Sequence, residues 1–209
     1  MKIVLIGGRQ MWDIEASGKS SIGNTILGID IFETGRRTAQ CVSGQRYVYG
    51  RQITLIDTPG WWWGYPVDNT PKLDQLEIMR SVYLCHPGPQ AFLLVIPVDT
   101  VFPDIFKRSA VEEHMGLLTD AVWKHTIVLF TRGDWLGDTT VEQRIASEGK
   151  GLQWLIEKCG NRYHVFDNKN RSDETQVTEL LEKVEEMVAE NRGCSYEIDR
   201  DVSSCFRQL

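Results

Sequence analysis

The sequence predicts an α/β fold: a doubly wound, mostly parallel six-stranded sheet with one antiparallel edge hairpin strand and helices on both faces. Three observations predict it. Short β-branched runs alternate with helical patterns along the chain. The later strand candidates, Ala91–Pro97 and His125–Thr131, are almost wholly apolar, as strands are when helices cover both faces. Two runs split by Gly50-Arg51 read as a hairpin at one edge.

The elements follow in order. Lys2–Ile6 is an apolar run that meets Gly7-Gly8-Arg9 too soon for a signal peptide, so it reads as the first strand. A helix starts near Lys19. Gln45–Tyr49 and Gln52–Ile56 form the hairpin, and Leu73–Cys85 is helical. Phe106–Thr119 lies between the two apolar strands as a helix. Val141–Cys159 is a helix broken near Gly149-Lys150-Gly151, Arg162–Phe166 is the last strand, and Thr175–Asn191 is an amphipathic, glutamate-rich helix. After Asn191 the pattern fades. The chain therefore divides into one domain, residues 1–191, and a flexible tail, residues 192–209. No internal repeat or linker-like stretch divides it further. A start directly at the first strand is what one segment of a larger chain would have.

Composition narrows the function classes. At 209 residues the chain can bury a sizeable single core, and 42% hydrophobic with 25% charged residues is globular. A net charge of -6 with scattered basic residues argues against a nucleic-acid partner. Five cysteines without a CxxC pair read as reduced thiols, so a cytoplasmic protein is expected. No apolar run approaches the roughly 20 residues of a transmembrane segment. His86, His114, His125 and His164 lack ligand spacing and read as structural.

Chemistry concentrates at three places. Gly18-Lys19-Ser20 opens a helix after the first strand, where backbone amides and the helix N-terminus can face a phosphate. Ser17, Gly18, Lys19, Ser20 and Ser21 are the candidate phosphate binders. Lys19 would bridge the β- and γ-phosphates, and Ser20 would place its hydroxyl on Mg²⁺. Asp57-Thr58-Pro59-Gly60 ends the strand Gln52–Ile56. Asp57 would hold Mg²⁺ through water, and the Gly60 amide would meet the γ-phosphate. Thr131-Arg132-Gly133-Asp134 ends another apolar strand. Asp134 can accept from guanine N1 and N2, donors that adenine does not present as a pair, so the nucleotide is GTP or GDP rather than ATP. Thr131 belongs to the same turn, Arg132 would cover the base, and Asn168 or a backbone amide in Asp167-Asn168-Lys169 would contact its edge.

One feature departs from the phosphate-loop pattern. GxxxxGK[ST] needs a glycine at position 13, which is Asp13; the strand's Gly7 lies six residues too early. An excursion at Gln10–Glu15 would leave Ala16 to Ser21 free to form the amide nest. Alternatively, Asp13 and Glu15 bring carboxylates toward the phosphates at a cost in affinity.

In this order SGKSSIGNTILG, TAQC, DTPGW, LFTRGDWL and RYHVFDNK resemble the immunity-associated nucleotide-binding GTPases, the GIMAP or IAN family, most of all its fish members. The resemblance spans roughly residues 2 to 190. It implies a P-loop G domain that binds guanine nucleotide with Mg²⁺, with Thr38 as a switch threonine ligating Mg²⁺ when GTP is bound. It also implies GTP-dependent homo- or hetero-oligomers with related G domains across the nucleotide face. Trp61 stands where Ras-like proteins carry a water-orienting glutamine and has no acceptor to offer, so hydrolysis should be slow. Trp61-Trp62-Trp63 reads as a partly buried switch loop rather than an exposed patch. The alternative function is a nucleotide-free interaction module disabled by the excursion.

Overall fold

In the computed structural model, residues 1–9, 18–102, 106–167 and 169–197 are described. The strands are β1 Lys2–Ile6, β2 Gly8–Arg9, β3 Val42–Val48, β4 Arg51–Asp57, β5 Trp61–Trp62, β6 Ala91–Pro97, β7 Thr126–Thr131 and β8 Tyr163–Val165. The helices are α1 Lys19–Leu27, α2 Lys72–Tyr83, α3 Phe106–Gly116, α4 Val141–Glu148, α5 Lys150–Lys158 and α6 Glu174–Glu190. Six strands form one sheet in the order β3-β4-β1-β6-β7-β8. Only β3 runs antiparallel, against β4, while β1, β4, β6, β7 and β8 pair in parallel. The hairpin turn is Tyr49-Gly50, both at positive φ, one residue earlier than the sequence suggests.

Alternation along β1 builds two cores. Ile3 and Leu5 face α1 and α6, joining Ile22, Ile26, Leu180 and Val184. Val4 and Ile6 face the other layer, joining Ile78 of α2, Val111 of α3 and Leu155 of α5. With both faces covered, β6 and β7 are buried throughout, which is why their sequences lack polar alternation. The helical run from Val141 does break at Gly149, whose φ of 106° separates α4 from α5.

Two features depart from the sequence reading. First, β2 and β5 form a separate two-stranded parallel ribbon, Gly8 opposite Trp61 and Arg9 opposite Trp62. Its four residues carry no periodicity from which to foresee it. A side chain at Gly8 would meet the Trp63 ring at 2.5 Å, so only glycine lets the ribbon close. Second, the expected tail is anchored for its first residues. Tyr196 is buried, donates its amide to the Pro89 carbonyl at 2.8 Å and packs edge-on against Phe92. The packed domain thus runs past Asn191, because a single aromatic can fill the pocket beside β6 without any helical pattern.

Candidate guanine-nucleotide site

Three sheet ends meet at the candidate site. α1 begins immediately after Gly18, which caps it in the left-handed conformation at φ 83°. Lys19 and Ser20 occupy the first turn and are both buried. The Ser20 hydroxyl donates to Asp57 Oδ2 at 2.6 Å, and the Thr38 hydroxyl donates to the same oxygen at 3.2 Å. Serine, threonine and aspartate, 37 residues apart in sequence at the extreme, are thereby brought to one point.

Asp57 itself is 1% exposed, and its Oδ1 has no hydrogen-bond partner among the described residues. Burial pushes its carboxyl above the ordinary value, opposed by the Lys19 charge and the two hydroxyls. A buried carboxylate with one unsatisfied oxygen and two flanking hydroxyls is a hard-oxygen donor set. It fits Mg²⁺, which takes few protein ligands and keeps its waters. Burial likewise depresses Lys19, with Asp57 opposing and Arg9 adding to the depression.

The DTPG turn is tied to the sheet by Thr58, whose hydroxyl donates to the Leu5 carbonyl at 2.7 Å. A Cβ on Gly60 would stand 2.9 Å from Lys19 Nζ, so the glycine keeps backbone and ammonium in close approach. Beyond it Trp61 is fully buried and stacks on His114, 4.6 Å between centroids. Trp63 is buried against Phe102, and Trp62 is half-buried. The three tryptophans thus form a packed loop rather than an exposed patch, as their sequence context suggests. Among the described residues neither the Trp61 nor the Trp63 indole N–H has an acceptor, contrary to the usual habit of buried tryptophan.

At the base end, Thr131 is the last residue of β7 and buried. Arg132 follows at φ 60°, its guanidinium 3.1 Å from Asp99 and 5.6 Å from the Trp135 ring centroid. Asp134 is paired with Lys169, Nζ to Oδ2 2.6 Å. Gly133 donates its amide to the Phe166 carbonyl at 2.8 Å and leaves no room for a side chain against Val165. This holds the β7 turn against the end of β8.

The structure therefore brings Gly18, Lys19, Ser20, Thr38, Asp57 and Gly60 together, with Ser21 next in α1. It places Thr131, Arg132 and Asp134 at the end of β7, on the same carboxyl-terminal edge of the sheet but separated from β1 by β6. Ser17, Asn168 and the excursion Gln10–Glu15 lie outside the described residues.

Sequence reasoning passed over four residues. Asn24 is buried in α1. Its Oδ1 accepts from the amides of Ile31 and Phe32, and its Nδ2 donates to the Phe32 carbonyl, so it braces the loop leading to Thr38. Arg37, beside Thr38, is fixed by a two-oxygen contact with buried Asp74. Lys169 holds the Asp134 carboxylate. Arg9 sits on the Trp62 ring, Cζ 4.0 Å from its centroid. Asn24 alone had a signal, a polar residue on the apolar face of a helix.

Comparison with known proteins places the chain. The family model described as "AIG1 family" matches residues 1–207. GTPase IMAP family member 8 of Homo sapiens is 32% identical over 198 residues, covering 91% of this chain and 27% of that protein. The chain thus spans about a quarter of that relative's length. Among solved structures, Toc33 from Arabidopsis thaliana in complex with GDP and Mg²⁺ superposes with a TM-score of 0.72 at 17% identity, covering 95% of this chain and 88% of that one. A structure of the chloroplast translocon components atToc33 and psToc159, described as ones whose dimerization is important for GTPase activity, gives 0.63 at 18%, covering 90% and 82%. These structural likenesses establish a shared G-domain fold. With its model matching nearly the whole length, the chain belongs to the AIG1 family.

Proposed function

We propose that the protein is a guanine-nucleotide-binding switch that takes GTP or GDP with Mg²⁺, hydrolyses GTP slowly, and associates with itself or related G domains when GTP is bound. The observation that carries this reading is the convergence of the Ser20 and Thr38 hydroxyls on Asp57, with a buried carboxylate oxygen left over. Among the described residues nothing else accounts for that donor set.

In this reading the amides of Ser17, Gly18 and Ser21 cradle the β-phosphate at the α1 N-terminus, where the helix dipole favours negative charge. Lys19 neutralises the β- and γ-oxygens. Ser20 and Thr38 would supply hydroxyl ligands to Mg²⁺, and Asp57 would hold it through water. When bound, Mg²⁺ withdraws charge from the phosphate oxygens. The Gly60 amide registers the γ-phosphate, so its loss frees the turn joined to β5. Thr131, Arg132, Asp134 and Asn168 frame the base, with Lys169 yielding Asp134 to guanine. Trp61 is buried against His114 and has no acceptor for a water, which supports slow hydrolysis in the isolated chain. The relatives' printed descriptions, GTPase and GDP–Mg²⁺ complex, support the same ligand class. The dimerization reported for the translocon components supports association.

No helix among the described residues is long and apolar enough to cross a membrane. A cytoplasmic location remains part of the proposal.

Titration with a fluorescent GTP analogue in Mg²⁺, with GTP, GDP and ATP as competitors, tests the reading. Displacement by GTP and GDP but not by ATP, weakened by EDTA, is the expected result. Absence of saturable binding overturns it in favour of an interaction module on a G-domain frame, with the Gln10–Glu15 excursion as the disabling element.

A further inference from the structure

Arg9 stands at the edge of the phosphate-side turn. It follows the first strand, and the β2–β5 ribbon fixes its backbone beside the DTPG turn, with the Trp63 amide donating to its carbonyl at 3.1 Å. Its guanidinium lies over the Trp62 ring, Cζ 4.0 Å from the centroid, while its Nε is buried without a partner among the described residues. The place it occupies is shared. A Cβ built on Gly60 would be 2.9 Å from Lys19 Nζ and 3.7 Å from Arg9 Cβ, so the ammonium, the Gly60 backbone and the root of Arg9 form one corner.

The charges in that corner share a sign. Burial disfavours the charged forms of both Arg9 and Lys19; Arg37 further disfavours that of Arg9, and Arg9 that of Lys19. Asp74 offsets part of this for Arg9 and Asp57 for Lys19. Asp74, however, is engaged by Arg37 through both oxygens, and Asp57 is the metal-facing carboxylate. Among the described residues no carboxylate forms an ion pair with Arg9. A guanidinium held on an indole shelf keeps its planar donors free for an anion, at little further entropy cost. The anion that fits beside Lys19 and the Gly60 amide is a terminal phosphate.

We propose that Arg9, held on the Trp62 shelf, reads the terminal phosphate of a nucleoside triphosphate and makes this site favour GTP over GDP. The inference rests on the guanine-nucleotide reading above and adds to it a specificity residue on the strand side of the phosphate loop. Since Arg9 shares a ribbon with β5, the same contact ties the triphosphate state to the tryptophan loop.

The test compares wild type, Arg9→Gln and Arg9→Lys, each first checked for cooperative melting, by titration with fluorescent GDP and with a fluorescent non-hydrolysable GTP analogue in Mg²⁺. Arg9→Gln should weaken the triphosphate by about tenfold or more while GDP affinity stays within about twofold, and Arg9→Lys should fall between. Intrinsic tryptophan emission should respond to the triphosphate in wild type and much less in Arg9→Gln. Equal weakening of both nucleotides, or an unchanged ratio, overturns the role of Arg9 and leaves the binding reading intact. A wild-type chain that binds neither nucleotide overturns the binding reading, and this inference with it.

Discussion

Asp134→Asn is the sharpest perturbation of base recognition. Guanine presents two donors side by side, N1–H and N2–H₂, and a carboxylate accepts both. Asparagine retains one acceptor and sets its own NH₂ against the second donor. Hydrogen bonds to a charged partner are worth about 1.5–3 kcal/mol each, and an unsatisfied buried donor adds a penalty of about 1–3 kcal/mol. Against this stands the Lys169 pair, 2.6 Å long, whose lysine is 77% exposed. Guanine must displace it, and a pair so open to solvent offsets only a small part of that loss when removed. The net loss is about 3–4 kcal/mol, or roughly a hundredfold to a thousandfold in guanine affinity. Competition titration with GTP, ATP and xanthosine triphosphate reads it out. Xanthine carries an acceptor where guanine has its amino group, so the variant should gain xanthine affinity as it loses guanine. Unchanged guanine affinity, or loss without any gain for xanthine, would refute the assignment of Asp134 as the base reader.

Three further perturbations follow from the same geometry. Asp57→Asn removes the buried carboxylate that Ser20 and Thr38 address; Mg²⁺ should then cease to strengthen triphosphate binding, and a retained Mg²⁺ effect in titrations with and without EDTA would remove Asp57 from the metal site. His164 is buried with Nε2–H donating to the Gln176 carbonyl at 2.8 Å, and burial, then the Lys183 charge, holds its pKa down to about 4 from the ordinary 6.5. The unfolded chain takes up a proton that the folded one refuses, so its contribution is lost as pH falls from about 6.5 toward about 4, roughly 2 kcal/mol between pH 7 and 5. Urea unfolding of His164→Gln should show that much less pH dependence over this interval, and an identical slope would contradict the buried neutral ring. Tyr196→Ala empties a site 1% exposed beside Phe92 and should cost about 3–5 kcal/mol in chemical denaturation; a loss below about 1 kcal/mol would mean that the segment after Asn191 is only loosely held.

What the sequence discloses of this protein depends on how far apart the cooperating atoms lie along the chain. Lys19 and Ser20 are adjacent, and Asp57 and Gly60 are three residues apart, so each half of the phosphate site is a local pattern bound to a strand end. The apolar strands β6 and β7 are equally legible, because burial on both faces removes all polar alternation. The contacts that escape are those in which one residue meets another with no local companion. Arg9 meets Trp62, Arg37 meets Asp74, and Lys169 meets Asp134. All three involve a long cation whose reach exceeds its position's local pattern, and all three border the candidate nucleotide site. A four-residue ribbon such as β2–β5 is invisible for a related reason: two residues per strand cannot display a period of two. On the proposed reading the motifs locate the ligand, while the long cations around them set how strongly each part of it would be held. On that reading Lys169 opposes guanine at Asp134, and Arg9 favours the terminal phosphate beside Gly60. Relatives sharing every motif could accordingly differ widely in nucleotide preference through changes at these two positions alone.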